Sequence, residues 1–402
     1  MRKLDLTIPP RQRDETTGTT VFLLGAGCSA DAGCPVMLKF MEKARQLARA
    51  PDCPFREDYE RAFNFRNECM RISYILERWW ENIEEIYTQA HLRQIIKTED
   101  AESLVGSLRR VIWDVYRRKF VFNPGMPQGY WIFAGVLNSF LDLWLNESRP
   151  RPVVITTNYD VRLECAMIGC FIGRDSKERR PLKVVYPGLP GDRAGYFLTP
   201  ESGLMHRVPG RDYGEEMRAI EIIKLHGSVN WFNDSKGELW FPVGTEARGN
   251  ETHLTCQTDE FAHSMTSEPL IVPPLLGKAE APPMIVDQWK AAIHAISHAR
   301  ELVIAGYSFP DSDAFMTRLI SEGFKEKCTI ERIYIVNPDA NERWWNRVEL
   351  LFSRTWWRSN VQRCVSDFGQ FALQLQYGNV SNIAEVARLA DIDTRIKKRA
   401  EQ

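Results

Sequence analysis

The chain has 402 residues, of which 44% are hydrophobic and 26% charged, and its formal net charge is -1. Such a chain buries a large core in one or two domains, and its near-zero charge gives no general attraction to nucleic acid or membrane surfaces. The most apolar stretch, residues 130–145, is interrupted by Asn138 and Asp142. We therefore expect no signal peptide and no membrane-spanning helix.

Nine cysteines, an odd number without any CxxC pair, predict reduced thiols and a cytoplasmic protein. Three candidate metal ligands, His253, Cys256 and His263, lie close together in the sequence. They lack a fourth neighbouring ligand, which a closed structural zinc site requires. We therefore predict no metal site.

The folded part of the chain is predicted to begin with a short apolar strand at residues 21–24 that runs into Gly25-Ala26-Gly27. Before it, residues 1–19 are rich in charge, Thr and Pro and are expected to form a flexible arm. Glycines let backbone N–H groups approach a phosphate, and a helix opening at Ser29 would favour its negative charge. A tight strand-to-helix turn without a ligand explains the same pattern, so the turn alone does not establish a ligand site.

Residues 36–147 follow a helical pattern, with apolar residues recurring at spacings of three and four. An ordinary dinucleotide-binding dehydrogenase would instead continue with a second strand and an acidic residue ~20 positions after the glycines. We therefore predict a large helical insertion between the first and second strands.

Beyond the insertion, the sequence returns to apolar runs that end in small or polar residues. We predict strands at residues 153–157, 219–225, 301–305 and 331–336, a shorter one at 183–186 and an extended segment at 269–274. A helix is expected at 286–299 and a polar loop at 233–268. With the first turn, five clusters end these runs: Gly25-Ala26-Gly27, Thr157-Asn158-Tyr159-Asp160, His226-Gly227-Ser228, Gly306-Tyr307-Ser308 and Asn337-Pro338-Asp339.

In an open α/β sheet, ligands bind outside the carboxyl ends of the parallel strands, where the strand order reverses. Any one cluster is explained equally well as a turn or a helix N-cap. Five together favour a shared crevice. The predicted fold is α/β, a Rossmann-like doubly wound parallel sheet over residues 20–340 with the helical insertion, followed by a C-terminal helical extension at 341–402.

The clusters, in this order and with Gly33 and Pro35 after the first turn, resemble the motifs of the sirtuin family. The sequence departs from sirtuin deacylases at three places. It has only Cys256 where they carry a zinc module with two CxxC pairs, Tyr159 for an aliphatic residue, and Met37-Leu38-Lys39-Phe40 for an Asp-Phe-Arg element. In these respects it is similar to the zinc-less bacterial sirtuin-like NAD+ hydrolases of anti-phage defence, of the Thoeris type or associated with HerA-type ATPases or short Argonautes.

This resemblance implies an NAD+ glycohydrolase, which uses NAD+ as its substrate and needs no metal. Breaking the nicotinamide–ribose bond releases a neutral leaving group and builds positive charge on the ribose, so a carboxamide and an imidazole suffice. Asn158 would orient the ribose and the attacking water, and His226 would accept a proton. Asp160 would contact the nicotinamide amide or hold the loop that carries Asn158.

The predicted NAD+ site takes further residues from the other clusters. The pyrophosphate is assigned to Gly25, Ala26, Gly27 and Ser29, and the adenosine side to Ser308, Asn337 and Asp339. Gly33, Thr157 and Gly306 complete the site. Cys28 is interpreted as a small turn residue rather than a nucleophile.

Two alternative functions remain open. One is an NAD-dependent protein deacylase or ADP-ribosyltransferase on the same fold. The other is a non-catalytic module that senses NAD+ or ADP-ribose and signals by assembly.

Uncontrolled NAD+ hydrolysis would harm the host cell, so we expect assembly to control the active site. Three tryptophan pairs, at residues 79–80, 344–345 and 356–357, are either buried between helical layers or used at interfaces. We predict a homo-oligomer with Trp345 or Trp357 among its contacts. A separately encoded partner, such as a HerA-type ATPase or an Argonaute, is also expected, but neither a membrane nor nucleic acid.

Overall fold

The computed structural model describes residues 18–72, 82–117, 129–147, 150–172, 182–187, 195–199, 203–205, 218–233, 239–240, 244–248, 251–255, 269–272, 282–309, 314–325, 329–338, 342–349, 360–377 and 383–390. Most of the predicted arm, Asp339, Cys256, His263 and the tryptophans at 79, 80, 356 and 357 lie outside these ranges. Among the helices within them, none combines the length and apolar character that a bilayer crossing requires.

The strands are β1 (Thr19–Leu24), β2 (Val153–Thr156), β3 (Leu182–Val185), β4 (Gly195–Thr199), β5 (Gly203–Met205), β6 (Arg218–Lys224), β7 (Gly227–Asn233), β8 (Leu239–Trp240), β9 (Gly244–Arg248), β10 (Glu251–Thr255), β11 (Pro269–Ile271), β12 (Ala299–Ala305), β13 (Arg332–Val336) and β14 (Val361–Cys364). Nine of them form one sheet in the order β14-β13-β12-β1-β2-β6-β3-β4-β5. The seven strands from β14 to β3 pair in parallel, and β4 and β5 add antiparallel pairs at one edge.

The helices are α1 (Phe40–Ala48), α2 (Arg56–Ile72), α3 (Ile83–Ile95), α4 (Ala101–Arg117), α5 (Gly129–Glu147), α6 (Arg162–Ile172), α7 (Pro283–Ser297), α8 (Ala314–Lys325), α9 (Glu342–Glu349), α10 (Phe368–Tyr377) and α11 (383–390). Between β1 and β2 the described residues are helical apart from turns, which confirms the predicted insertion. Its last helix, α5, packs on the sheet, as shown by the 5.0 Å distance between the ring centroids of Phe133 in α5 and Phe22 in β1.

The central strands of the sheet are buried on both faces because they carry apolar residues at successive positions. In β1, Phe22 and Leu24 belong to an apolar cluster shared with the insertion helices. Val21 and Leu23 belong to a second cluster on the opposite face, shared with α7 and α8. Continuous apolar runs of this kind are typical of parallel strands covered by helices on both sides.

The strand order reverses beside β1. From β1 the chain crosses to β2 on one side, and after β6 it returns to β12 on the other side. The Rossmann-like doubly wound fold that the sequence predicts is therefore present, and a ligand crevice is expected at the carboxyl ends of β1 and β12.

Two assignments of secondary structure need correction. The predicted loop at 233–268 contains β8, β9 and β10, which pair outside the main sheet. The sequences of β9 and β10 are polar, and β8 is only two residues long, so none of them gives the apolar run that predicts a strand. The predicted C-terminal helical extension is present as α9, α10 and α11, but it also contains β14, which joins the sheet beside β13. Only Cys364 of β14 is fully buried, so this edge strand lacks the apolar signal of the central strands.

Two local predictions also need correction. No α-helix opens at Ser29, because Ala26–Ser29 form a single 3-10 turn that continues into further turns. Trp345 is only 5% exposed and packs in the apolar cluster that contains Val348, so its side chain is not available as a surface contact. The guanidinium of Arg363 covers its ring at 4.8 Å.

Candidate active site

A cavity of about 350 Å³ opens at the carboxyl edge of the sheet, and all five predicted clusters contribute to it. Ten of the thirteen predicted site residues line it, namely Ala26, Gly27, Ser29, Thr157, Asn158, Asp160, His226, Gly306, Ser308 and Asn337. Asp339 lies outside the described residues. Gly25 lies directly behind the lining, and Gly33 sits in a turn with φ +78° outside it. The volume is in the usual range of small-molecule sites.

The glycine turn after β1 is held against the loop after β12. The N–H of Gly25 donates to the Ala305 carbonyl at 2.9 Å, and that of Gly27 to the Gly306 carbonyl at 2.8 Å. A Cβ on Gly25 would lie 2.5 Å from the Gly306 carbonyl oxygen. These glycines are therefore required for close packing of two loops, and two of the N–H groups assigned to a phosphate are already used.

Asn158 is the centre of a buried hydrogen-bond network and is 7% exposed. Its Nδ2 lies 2.9 Å from the Gly25 carbonyl oxygen, 2.9 Å from Ser29 Oγ and 3.0 Å from the Tyr130 hydroxyl. A carbonyl only accepts, so the contact with Gly25 fixes which end of the amide is nitrogen. The carboxamide oxygen has no hydrogen bond to any residue within the described ranges and is available to a bound molecule.

Asp160 holds the loop on which Asn158 lies. Its Oδ2 accepts from Ser29 Oγ at 2.8 Å, and its Oδ1 accepts from the Arg162 N–H at 2.9 Å. Both carboxylate oxygens are thus engaged within the protein. Of the two predicted roles for Asp160, this geometry favours the structural one.

His226 follows β6 by two residues and is 2% exposed. Its ring lies 6.1 Å from that of Tyr159 and 6.2 Å from that of Trp289, measured between centroids. Its carbonyl accepts from the Val272 N–H at 2.9 Å. The next residue must be glycine, since Gly227 has φ +77° and a Cβ there would lie 2.0 Å from the Leu270 carbonyl oxygen. The close approach of β11 therefore fixes the backbone that carries the imidazole.

The opposite side of the cavity is built mainly from backbone contacts. Gly306, with φ +60°, donates its N–H to the Val336 carbonyl at 3.1 Å. The Ser308 carbonyl accepts from the Trp344 Nε1–H at 2.8 Å, and the Asn337 N–H donates to the Cys364 carbonyl at 3.1 Å. We name this side, Gly306, Ser308 and Asn337, the backbone wall. The side formed by Ser29, Asn158, Asp160 and His226 is named the polar wall.

Tyr130 was missed by sequence reasoning, although it contacts two residues of the polar wall. It lies in the first turn of α5, where the Gly129 N–H donates to Asp31 Oδ2 at 2.5 Å. Its hydroxyl lies 3.2 Å from Ser29 Oγ. Burial raises the pKa of this hydroxyl well above its usual value, so it stays protonated. The ring of Phe368, in α10, supports it at 5.5 Å.

Three further lining residues come from helices and were not predicted. Glu84 and Tyr116 come from the helical insertion and Trp344 comes from α9. The Tyr116 hydroxyl donates to the Pro35 carbonyl at 3.2 Å, and burial raises its pKa well above the usual value. No single residue pattern marks them, because each reaches the cavity through the packing of its helix.

Two buried thiols, Cys34 in the cavity lining and Cys28 in the adjoining glycine turn, are held in the neutral form. Cys28 donates to the Ala305 carbonyl at 3.2 Å, and burial raises its pKa well above the usual value. Burial, with the Asp160 charge, raises the pKa of Cys34 to about 12. Since the thiolate is the reactive form, neither cysteine is set up as a nucleophile. Within the described residues, no group of three His, Cys, Asp or Glu side chains is placed to hold a metal ion.

No protein-family model matches the chain, and no curated protein matches it. Among solved structures, a Sir2 homologue in complex with NAD aligns over 93% of this chain and 92% of its own, with 12% identity and a TM-score of 0.36. Sir2Tm bound to a propionylated peptide aligns over 90% and 93%, with 14% identity and a TM-score of 0.35. A structure on sirtuin substrate affinity gives 89% and 93%, with 14% identity and a TM-score of 0.37.

Proposed function

We propose that this protein is a sirtuin-like NAD+ glycohydrolase that cleaves the nicotinamide–ribose bond to give nicotinamide and ADP-ribose. One observation carries the proposal: a single cavity is lined by an asparagine whose carboxamide nitrogen is fixed by three contacts and by a histidine. The ordered motifs Gly25-Ala26-Gly27, Thr157-Asn158-Tyr159-Asp160 and Leu225-His226-Gly227, which resemble those of sirtuins, support the assignment of NAD+ as substrate.

The reaction requires only a few catalytic groups from the protein. The bond between the ribose C1′ and the nicotinamide nitrogen breaks, and its electron pair neutralises the pyridinium ring. A water oxygen then bonds to C1′, and the water loses a proton, for which His226 is the base. Asn158 offers its carboxamide oxygen to a ribose hydroxyl or to the water. A well-placed general base contributes about 10²- to 10⁴-fold to a rate.

We propose that the enzyme acts as an effector of anti-phage defence by depleting NAD+, under the control of assembly as a homo-oligomer or with a separately encoded partner. The position of the helical insertion supports such control, because two of its residues, Glu84 and Tyr116, line the cavity. A movement of the insertion helices would therefore change the site directly.

The test is to incubate the purified protein with NAD+ over a range of protein concentrations and to quantify nicotinamide and ADP-ribose. We expect release without an acceptor, rising more than linearly with protein concentration. The variants Asn158→Ala and His226→Ala are the controls. Release only in the presence of an acyl-lysine peptide would show a deacylase instead, and NAD+ binding without cleavage under all conditions would show a sensing module.

A further inference from the structure

A lysine is buried inside the sheet directly behind the cavity. Lys224 is the last residue of β6 and is 0% exposed. Its neighbours along the strand alternate between the two apolar clusters, with Ile222 on one face and Ile223 on the other. Lys224 therefore occupies a position on the Ile222 face that the pattern assigns to an apolar side chain. Burying an ammonium group is costly unless it is fully hydrogen-bonded, so its presence requires a reason.

The ammonium of Lys224 connects two parts of the chain. Its Nζ donates to the backbone carbonyl of Asp160 at 2.5 Å and to Glu164 Oε1 at 3.1 Å. Glu164 lies in α6, is 1% exposed and also accepts from the Tyr186 hydroxyl at 3.0 Å. The charge is thus paired within the interior and also bonded to the loop that carries Asn158.

The same lysine is placed to align the two proposed catalytic residues. In the parallel register, Lys224 lies beside Thr156, the last residue of β2. Two residues beyond Lys224 is His226, and two residues beyond Thr156 is Asn158. A bond from the Lys224 side chain to the Asp160 carbonyl therefore fixes the Asn158 loop relative to the strand that presents the imidazole.

We propose that Lys224 is a positioning residue that, together with Glu164, sets the distance between Asn158 and His226. This inference rests on the proposed function for its catalytic consequence. Its structural part, the fixing of residues 157–161, is independent of any activity. An apolar pair would fill the same space but could not bond the loop carbonyl, as the ammonium does.

The experiment compares Lys224→Met with the double variant Lys224→Met/Glu164→Leu. The single variant leaves a buried carboxylate unpaired and should lose stability. The double variant removes both charges and should regain most of the wild-type melting temperature. We expect kcat for NAD+ cleavage to stay at least about tenfold below wild type in both, with little change in KM. Lys290→Met, in an i,i+3 pair with Asp287 on the surface of α7, is the matched lysine control and should behave as wild type.

Hydrogen exchange gives a second readout that needs no turnover. The N–H groups of Thr157, Asn158 and Arg162 are hydrogen-bonded at 3.1, 3.0 and 2.9 Å and should be protected in the wild type. We expect them to exchange faster in the double variant, while protection in β6 is kept. A wild type without NAD+ cleavage would disprove the proposed function only. Recovery of both kcat and protection in the double variant, or failure of both variants to fold, would overturn the role of Lys224.

Discussion

The two walls of the cavity are held in place by different kinds of contact. In the polar wall, hydrogen bonds join the side chains of Ser29, Asn158 and Asp160, and all four of its residues are at most 7% exposed. In the backbone wall, Gly306 and Asn337 donate their peptide N–H groups, Ser308 accepts through its carbonyl, and Ser308 is exposed. The positions of Ser29, Asn158 and Asp160 therefore depend on side-chain bonds, whereas these peptide bonds of the backbone wall are kept when the side chain of one of its own residues changes. Substitutions should have unequal effects on the two walls.

The largest effect is expected for His226→Ala, which removes the only imidazole that the described part of the cavity lining contains. Loss of a general base should lower kcat by about 10²- to 10⁴-fold. Steady-state nicotinamide release measures it. His91→Ala, on α3 and outside the lining, is the control, and equal losses in both variants would contradict the assignment.

Asn158→Ala should come next. It removes the carboxamide oxygen and also three contacts of Nδ2, so kcat should fall by about 10²- to 10³-fold, the usual cost of losing an oriented polar group at a reacting centre. Asn138→Ala is a matched control, because Asn138 is a buried asparagine that bonds only to the Ala134 carbonyl, at 2.9 Å within α5. The control should lose stability and keep kcat. A drop in kcat for both would mean that folding, not the site, is being measured.

Tyr130→Phe should have a moderate effect. It keeps the ring that packs on Phe368 and removes the hydroxyl that contacts Ser29 and Asn158. We expect about 1 kcal/mol of lost stability and a kcat reduced about tenfold, because Asn158 loses one of its three partners. Thermal unfolding and kinetics measured together test this, and a wild-type kcat would show that the insertion does not order the polar wall.

Ser308→Ala should have the smallest effect. Its carbonyl, which accepts from Trp344, is unchanged by the substitution. We expect kcat within about twofold of wild type and a KM for NAD+ raised about twofold to fivefold, the cost of one exposed hydrogen bond to substrate. A large fall in kcat would remove the distinction between the two walls.

Much of the fold was predictable because the central strands are continuous apolar runs that end in small or polar residues. The same pattern located Asn158 and His226 on the cavity. It could not show that Gly25 and Gly27 pack on Gly306, because those residues lie about 280 positions apart and meet only when β12 pairs with β1. The sequence pattern predicts that Gly25 and Gly27 bind a phosphate, whereas their contact with the Gly306 loop by itself requires that they lack a Cβ.

Tyr130 was unpredictable for a related reason. Its neighbours in the sequence are apolar, and its hydroxyl contacts Asn158 only because α5 packs on β1. The strands β9, β10 and β14 were missed because they are polar or lie at an edge, where few apolar side chains are needed. Sequence patterns thus identified residues at strand ends and failed for residues delivered by helix packing.

Because Phe368 packs against the start of α5, the C-terminal part of the chain helps to hold the site in place. A Cβ on Gly129 would lie 2.9 Å from the Phe368 ring, and that ring also contacts Tyr130 and Phe133. A variant truncated before residue 360 would lose both the Phe368 contact and the edge strand β14. A fusion or a binding partner that displaces α10 would therefore shift Asn158, because the Phe368 ring contacts Tyr130 and the Tyr130 hydroxyl contacts Asn158.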